Sequence, residues 1–139
     1  MAMRKRVLLV DDVAVVRKTI RALLEQHSFE ICGEAADGQE AIEKVKELKP
    51  EIIILDINMP VMNGVRAAME IRRIAPEALI VFLTAHAIPG VMHSLRPWSE
   101  GFVCKTTVGR QLIPLLGRLA IKPRRNPRAK FQVGTAGKA

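Results

Sequence analysis

The chain has 139 residues, of which 49% are apolar and 26% charged, with a mean hydropathy of +0.14. This length fits one domain with a buried core, and the composition argues against intrinsic disorder for most of the chain. The longest runs of Val, Ile, Leu and Phe have four or five residues, too few to span a bilayer or to serve as a secretory signal.

The net charge of +8 is concentrated at one end of the chain. Six of the 22 Lys and Arg residues, but none of the 14 acidic residues, lie in 122–139, so residues 1–121 are close to neutral. Four Phe, one Trp and no Tyr leave little material for a base-stacking surface. We therefore predict one domain over 1–121, followed by a basic and disordered tail over 122–139.

Five short apolar runs alternate with amphipathic segments. The predicted strands are Val7–Val10, Glu30–Glu34, Ile52–Leu55, Leu79–Leu83 and Phe102–Cys104. The first, third and fourth runs are continuously apolar, which is typical of strands covered on both faces in a parallel sheet. The second and fifth runs are more mixed, as expected at the edges of a sheet.

Apolar residues recur at helical spacing after each run, which predicts five helices. The predicted helices cover about 13–24, 39–48, 65–75, 89–97 and 107–121. Asp12 is positioned to cap the first helix, and Pro and Gly weaken the fourth. Alternating strands and helices with right-handed crossovers predict a three-layer α/β sandwich.

Polar residues follow the strands at the edge where open parallel sheets bind ligands. Asp11 and Asp12 follow the first run, Asp56 the third, Thr84 the fourth and Lys105 the fifth. Each residue alone has an ordinary explanation as a helix cap or a solvated side chain, but together they fall at one edge. Two carboxylates about 4 Å apart repel by about 4 kcal/mol at an effective dielectric constant of 20. Three of them favour a hard cation, Mg²⁺ or Mn²⁺.

These residues, together with the segment Leu55–Gly64 (LDINMPVMNG), closely resemble the receiver domain of bacterial two-component response regulators. The resemblance covers about residues 4–121. It implies a flavodoxin-like (βα)5 sandwich with the parallel strand order 2-1-3-4-5. In that order Cys32 and Cys104 lie on opposite edge strands, beyond disulfide reach.

The resemblance also implies roles for the site residues. Asp56 is expected to be the phosphoacceptor, and Asp12 and Asp56 to bind Mg²⁺ directly with the backbone carbonyl of Asn58. Asp11 is expected to act on the metal mainly through water. Lys105 and Thr84 are expected to contact phosphoryl oxygens.

Three further residues occupy positions that modulate the response in this family. Phe102 matches the aromatic of the fifth strand that turns inward on activation, although a plain core phenylalanine explains it equally well. Asn58 and His86 match the positions that tune how long the phosphoryl group survives.

The implied function is phosphorylation-dependent signalling through protein contacts in the cytoplasm. The expected partners are a sensor histidine kinase or phosphotransfer protein and a downstream protein target, with phosphorylation-dependent homodimerisation as an option. No membrane partner is expected. The domain is not expected to be an enzyme, and the only reactions expected of it are self-directed phosphotransfer and dephosphorylation.

The departures from the family pattern lie on the output side. Thr106 stands where most receivers have a proline, and Trp98 replaces a glycine near the end of the fourth helix. Thr106 and the segment Glu34–Gly38 resemble the NarL-like branch, whose members usually carry a DNA-binding domain. Because 18 residues follow Ile121, we expect no such domain here.

Three alternative functions stay open. The basic tail could bind nucleic acid in a salt-dependent, sequence-independent manner. The altered fourth helix is compatible with a degenerate receiver that acts as a constitutive scaffold. A phosphohydrolase or phosphotransferase with turnover is disfavoured because Asn58 stands where such enzymes carry a second acid.

Overall fold

The structure, a computed structural model, describes residues 4–120, so Ile121 and the predicted tail lie outside the described residues. The strands are β1 Lys5–Val10, β2 Phe29–Ala35, β3 Ile52–Asp56, β4 Leu79–Thr84 and β5 Gly101–Cys104. The helices are α1 Ala14–Glu25, α2 Gly38–Leu48, α3 Gly64–Ile74, α4 Pro89–Ser94 and α5 Val108–Ala120. Within 4–120, no helix combines the length and the apolar character that a membrane span requires.

The five strands form one parallel sheet in the order β2-β1-β3-β4-β5, which confirms the predicted topology. The continuously apolar runs are the three central strands, and the two mixed runs are the edges. Both cysteines are free thiols, on β2 and β5 at opposite edges. All five strands end at the same side, so the residues that follow them meet there.

Side chains alternate between two cores, one on each face of the sheet. Leu8 and Ile53 pack in the core that α2 and α3 cover, whereas Leu9 and Ile54 pack in the core that α1 and α5 cover. Burial of β1, β3 and β4 on both faces explains why their sequences show no polar alternation. The rigid centre of the sheet therefore carries the polar residues at its carboxyl edge.

Side-chain caps fix the starts of α2 and α3. Asp37 accepts a hydrogen bond from the Glu40 amide at 2.8 Å, and Glu40 Oε1 accepts one from the amide of Ala36, the residue before the cap, at 2.7 Å. Asn63 Oδ1 accepts a hydrogen bond from the Arg66 amide at 2.9 Å. Both helices therefore begin at a defined residue beside the carboxyl edge.

The predicted cap of α1 is wrong. The capping position is Val13, without a side-chain cap, and Asp11 Oδ1 accepts a hydrogen bond from the Val13 amide at 2.9 Å. Asp11 thus closes the turn between β1 and α1, while the exposed Asp12 places a carboxylate oxygen beside those of Asp11 and Asp56. The turn uses the first aspartate of the pair, not the second.

The fourth helix is shorter than predicted. It ends at Ser94, and a 3-10 turn over Arg96–Trp98 follows it. Pro97 has no amide hydrogen to continue an α-helical ladder, which explains the change to the tighter turn. Trp98 packs against the core on the α3 side and connects the turn to β5.

Candidate functional site

Three aspartates meet at the carboxyl edge of the sheet. One carboxylate oxygen each from Asp11, Asp12 and Asp56 lies within 4.8 Å of the other two. Asp11 and Asp56 are buried, and Asp12 is exposed. The first two follow central strands, so the sheet holds their backbones rigidly. The structure thus brings together the three carboxylates that the sequence places at this edge.

Lys105 extends from the end of β5 into this cluster. Its Nζ lies 2.9 Å from Asp11 Oδ2 and 3.2 Å from Asp56 Oδ2. Burial lowers the pKa of Lys105, but its close ion pairs with Asp11 and Asp56 outweigh that effect, so its pKa lies above the ordinary value. The ammonium group therefore stays charged and neutralises part of the acidic cluster.

The Asp56 carboxylate is held in an unfavourable environment. Burial raises its pKa from 3.8 to about 6, and the charge of Asp11 adds to the rise. The Lys105 ammonium and the amide of Asn58, which donates to Asp56 Oδ1 at 3.3 Å, act in the opposite direction. One lysine does not fully compensate the carboxylates that surround it.

The donor set fits a hard divalent cation. All three residues of the cluster offer carboxylate oxygens, the ligands that Mg²⁺ and Mn²⁺ prefer. Asp11 Oδ2 is buried and lacks a hydrogen bond of good geometry, although Lys105 Nζ is close to it. The exposed Asp12 leaves one side of the cluster open to solvent. The residues present therefore fit the predicted metal site.

The loop between β3 and α3 packs tightly against the acceptor strand. A Cβ atom on Gly64 would lie 1.9 Å from the Asp56 carbonyl oxygen, so no larger residue fits there. The Gly64 amide donates to the Ile57 carbonyl at 2.7 Å. Within the loop, Val61 has φ = 68°, a left-handed conformation that is strained for a β-branched residue. Asn58 itself is exposed at the start of the loop.

Thr84 and His86 form a closed turn after β4. The Thr84 hydroxyl donates to the His86 carbonyl at 2.8 Å and accepts a hydrogen bond from the His86 amide at 3.2 Å. Thr84 is buried, and His86 is exposed. In this arrangement the hydroxyl serves the turn, so contact with a phosphoryl oxygen requires these hydrogen bonds to exchange.

Phe102 is a half-buried residue of β5 that pairs with Phe82 of β4. The two rings stack with centroids 5.8 Å apart and planes 22° from parallel. Phe82 is fully buried, so it provides a fixed surface against which the Phe102 ring packs.

The sequence analysis did not identify Arg17, which anchors the backbone at the carboxyl end of β1. Arg17 Nη1 donates to the Asp11 carbonyl at 2.5 Å, and its Nε donates to Glu34 at 2.9 Å. Glu34 also accepts from Arg21 at 2.7 Å, and together these bonds tie α1 to β2 through the backbone of Asp11. Helical spacing marks Arg17 only as polar, and its partner becomes visible only when β2 is placed beside β1.

Comparisons with known proteins agree with this geometry. The family profile of the response regulator receiver domain matches residues 7–116. The chemotaxis protein CheY of Thermotoga maritima is 37% identical over 119 residues, which cover 85% of this chain and 99% of that protein.

Two solved structures share the fold. The receiver domain of a putative response regulator NarL from Mycobacterium tuberculosis is 25% identical with a TM-score of 0.81, over 88% of this chain and all (100%) of that one. CheY in a CheX–CheY–BeF3–Mg²⁺ complex from Borrelia burgdorferi is 25% identical with a TM-score of 0.81, over 85% and 90% of the two chains.

Proposed function

Since this chain belongs to the response regulator receiver domain family, we propose that Asp56 accepts a phosphoryl group from a histidine kinase or a phosphotransfer protein. The domain then signals through protein contacts in the cytoplasm. The observation that carries the proposal is the position of the buried Asp56 carboxylate, within reach of two further carboxylates and of Lys105.

The reaction is a nucleophilic substitution at phosphorus. An Asp56 carboxylate oxygen forms a bond to phosphorus while the bond from phosphorus to the imidazole nitrogen of phosphohistidine breaks. The electron pair of the broken bond returns to the imidazole, and the product on this chain is an aspartyl phosphate. Because the carboxylate is already an anion at neutral pH, no protein base is needed.

The surrounding residues position the reactants and compensate charge. Asp12 and Asp56, with the Asn58 carbonyl, would bind Mg²⁺ or Mn²⁺, and Asp11 would act mainly through water. A divalent cation held there supplies positive charge to the transferring group. Lys105, already 3.2 Å from Asp56 Oδ2, would contact a phosphoryl oxygen. The CheY structure from Borrelia burgdorferi, a complex with BeF3 and Mg²⁺, supports this assignment.

The output follows from residues that touch the new charge. Thr84 would exchange its hydrogen bonds with the His86 backbone for one to the phosphoryl group, and Phe102 would change its packing on Phe82. We propose that the exposed side chains of Asn58 and His86 determine how long the phosphoryl group survives on Asp56. The target is a protein, and pairing of two phosphorylated copies is an option within the same mechanism.

Intact mass after incubation with Mg²⁺ and acetyl phosphate tests the proposal. We expect the mass of one added phosphoryl group, which hydroxylamine should release. No phosphoryl group should be added when EDTA is present or when the D56N variant is used. The D37N variant is a matched control, because Asp37 lies outside the cluster and asparagine also caps helices. It should be phosphorylated like the wild type.

The same assay separates the alternatives. A wild-type chain that gains no phosphoryl group, or a D56N variant that still gains one, contradicts the proposal. The first result favours a constitutive scaffold. Sustained turnover of the phosphodonor at enzyme-like rates would indicate a phosphohydrolase.

A further inference from the structure

A groove of about 860 Å³ opens between α2 and α3, and its lining includes none of the three aspartates of the acidic cluster. α2 contributes residues spaced by three and four positions, and α3 contributes residues over more than two turns. This spacing gives the groove the direction of the two helices. The stretch of α3 from 65 to 73 is about 12 Å long, which matches two turns of an added helix.

The floor of the groove is apolar and includes flexible methionine side chains. It consists of Ile42 from α2, Met62 from the loop before α3, and Val65 and Met69 from α3. Met69 is 48% exposed, and Met62 and Val65 are half-buried. Methionine side chains adapt to varied apolar partners, so this floor suits leucine-like side chains of an incoming segment.

The rim of the groove is basic. Lys46, Arg66 and Arg73 line it, against a single carboxylate, Glu70. Glu70 is already paired with Arg73, and this hydrogen bond, with the charges of Arg73, Lys46 and Arg66, lowers its pKa. The exposed acids of α2, Glu43 and Glu47, do not line the groove. The lining therefore carries a surplus of positive charge around an apolar floor.

We propose that this α2–α3 groove docks an acidic amphipathic helix of a partner protein. Apolar side chains at helical spacing pack on Met62, Val65 and Met69, and flanking Asp or Glu residues face Lys46, Arg66 and Arg73. A nucleic acid fits less well, because no aromatic residue lines the groove to stack on a base. None of the lining residues belongs to the acidic cluster, so the proposal does not depend on phosphotransfer.

The test uses the full chain and a fluorescent synthetic helix of four turns, with Leu on one face and Glu on both flanks. We expect a saturable rise in anisotropy with a Kd on the order of micromolar, weakened by salt. Amide chemical shifts of the ¹⁵N-labelled chain should change along α2 and α3. A probe with Lys in place of each Glu should not bind.

Matched variants locate the binding. The double variant R66E/R73E should weaken binding at least about tenfold, and M69D should do so without reversing a basic charge. The double variant R110E/R118E makes the same change of net charge on exposed residues of α5 and should stay within about twofold of the wild type. If R66E/R73E does not fold, as judged by thermal unfolding, M69D and the shift map decide.

Several results would overturn the proposal. These are no saturable binding of the acidic probe, equal binding of the lysine probe, an equal loss in R110E/R118E, or shifts that map to α5. A duplex DNA that displaces the probe and shifts the same amides would assign the groove to nucleic acid instead. Phosphorylation of Asp56 is measured in parallel, so failure of phosphotransfer and failure of docking are read separately.

Discussion

Two clusters of charged side chains in this molecule differ in how well their charges are balanced. At the carboxyl edge, Asp11 and Asp56 share one ammonium group, Lys105, and Asp11 Oδ2 lacks a hydrogen bond of good geometry. Beside β5, Arg72 and Glu100 form an ion pair in which both Glu100 oxygens accept from Arg72 Nη2, at 2.8 and 2.9 Å.

The surroundings of the second cluster add further hydrogen bonds to it. Arg72 also donates to the carbonyls of Ala78 at 2.6 Å and of Pro76 and Trp98 at 3.3 Å each. This clamp, Arg72–Glu100, joins the end of α3 to the segment that leads into β5. A cluster whose positive and negative charges balance stabilises the fold, whereas a cluster with excess negative charge is ready for a ligand.

The largest effect is expected from breaking the Arg72–Glu100 clamp. R72M leaves the Glu100 carboxylate, 13% exposed, without its guanidinium partner, and should lower the free energy of unfolding by about 3 kcal/mol. Urea denaturation measures the loss. R73M is the matched control, since the Arg73–Glu70 pair is exposed, and it should leave the free energy of unfolding nearly unchanged. Equal losses in the two variants would show that the clamp has no special role.

The opposite sign is expected at the acidic cluster. In metal-free buffer at neutral pH, D56N removes a buried charge that faces Asp11, and should raise the free energy of unfolding by about 2 kcal/mol. Mg²⁺ should stabilise the wild type and not D56N. Adding Mg²⁺ should therefore reduce the difference in free energy of unfolding between the two proteins. A D56N variant less stable than the wild type in metal-free buffer would show that Lys105 already neutralises the site.

The pH dependence of this difference is specified by the same pKa. Because the folded-state pKa of Asp56, about 6, lies above its ordinary value of 3.8, the folded chain holds the proton more tightly than the unfolded chain. The stability of the wild type relative to D56N should therefore fall as the pH rises from 3.8 to about 6, and stay constant above that. Paired denaturation curves without metal check the sign. A flat difference would contradict it.

The two clusters also differ in how far the sequence predicts them. Asp11, Asp56 and Lys105 each follow an apolar strand, and parallel strands end at one edge, so the acidic cluster follows from local patterns. Arg72 and Glu100 are 28 residues apart on different kinds of element, and no local pattern pairs them. Their contact depends on how α3 ends against β5, which is a property of the packed fold.

Local detail limits the prediction even at the acidic cluster. The sequence analysis assigns the cap of α1 to Asp12, whereas the structure uses Asp11 to close the turn. Successive side chains of an extended segment point in different directions, so one residue of register decides which carboxylate is buried. α4 also ends before the predicted position, because the chain changes to a 3-10 turn around Pro97, and the helical spacing alone does not fix where that change begins.

A smaller effect is expected from the lysine that partly neutralises the acidic cluster. Lys105 Nζ occupies the space next to the carboxylate oxygens of Asp11 and Asp56, so it competes with a divalent cation. K105M should tighten Mg²⁺ binding about tenfold, as measured by calorimetry, while slowing phosphorylation. K18M changes the net charge equally at an exposed position of α1 and should leave Mg²⁺ affinity nearly unchanged. Weaker Mg²⁺ binding in K105M would mean that Lys105 orders the site.

The smallest effect concerns backbone strain at the same edge. Val61 has φ = 68°, and the Met62 amide donates to the Pro60 carbonyl at 2.7 Å, which is the hydrogen bond of a strained γ-turn. V61G relieves strain of about 2 kcal/mol and costs about 1 kcal/mol of backbone entropy, so it should stabilise the chain by about 1 kcal/mol.

Lys49 provides the comparison away from the site. It has φ = 49° at the end of α2, where left-handed residues are common and its side chain is not β-branched. K49G should therefore raise the free energy of unfolding by about 0.3 kcal/mol, which is less than the gain expected for V61G. If V61G instead destabilises the chain and slows phosphorylation of Asp56, the turn holds the acceptor loop in its reactive shape. Backbone strain at Val61 would then serve ligand binding at this edge, as the uncompensated negative charge does.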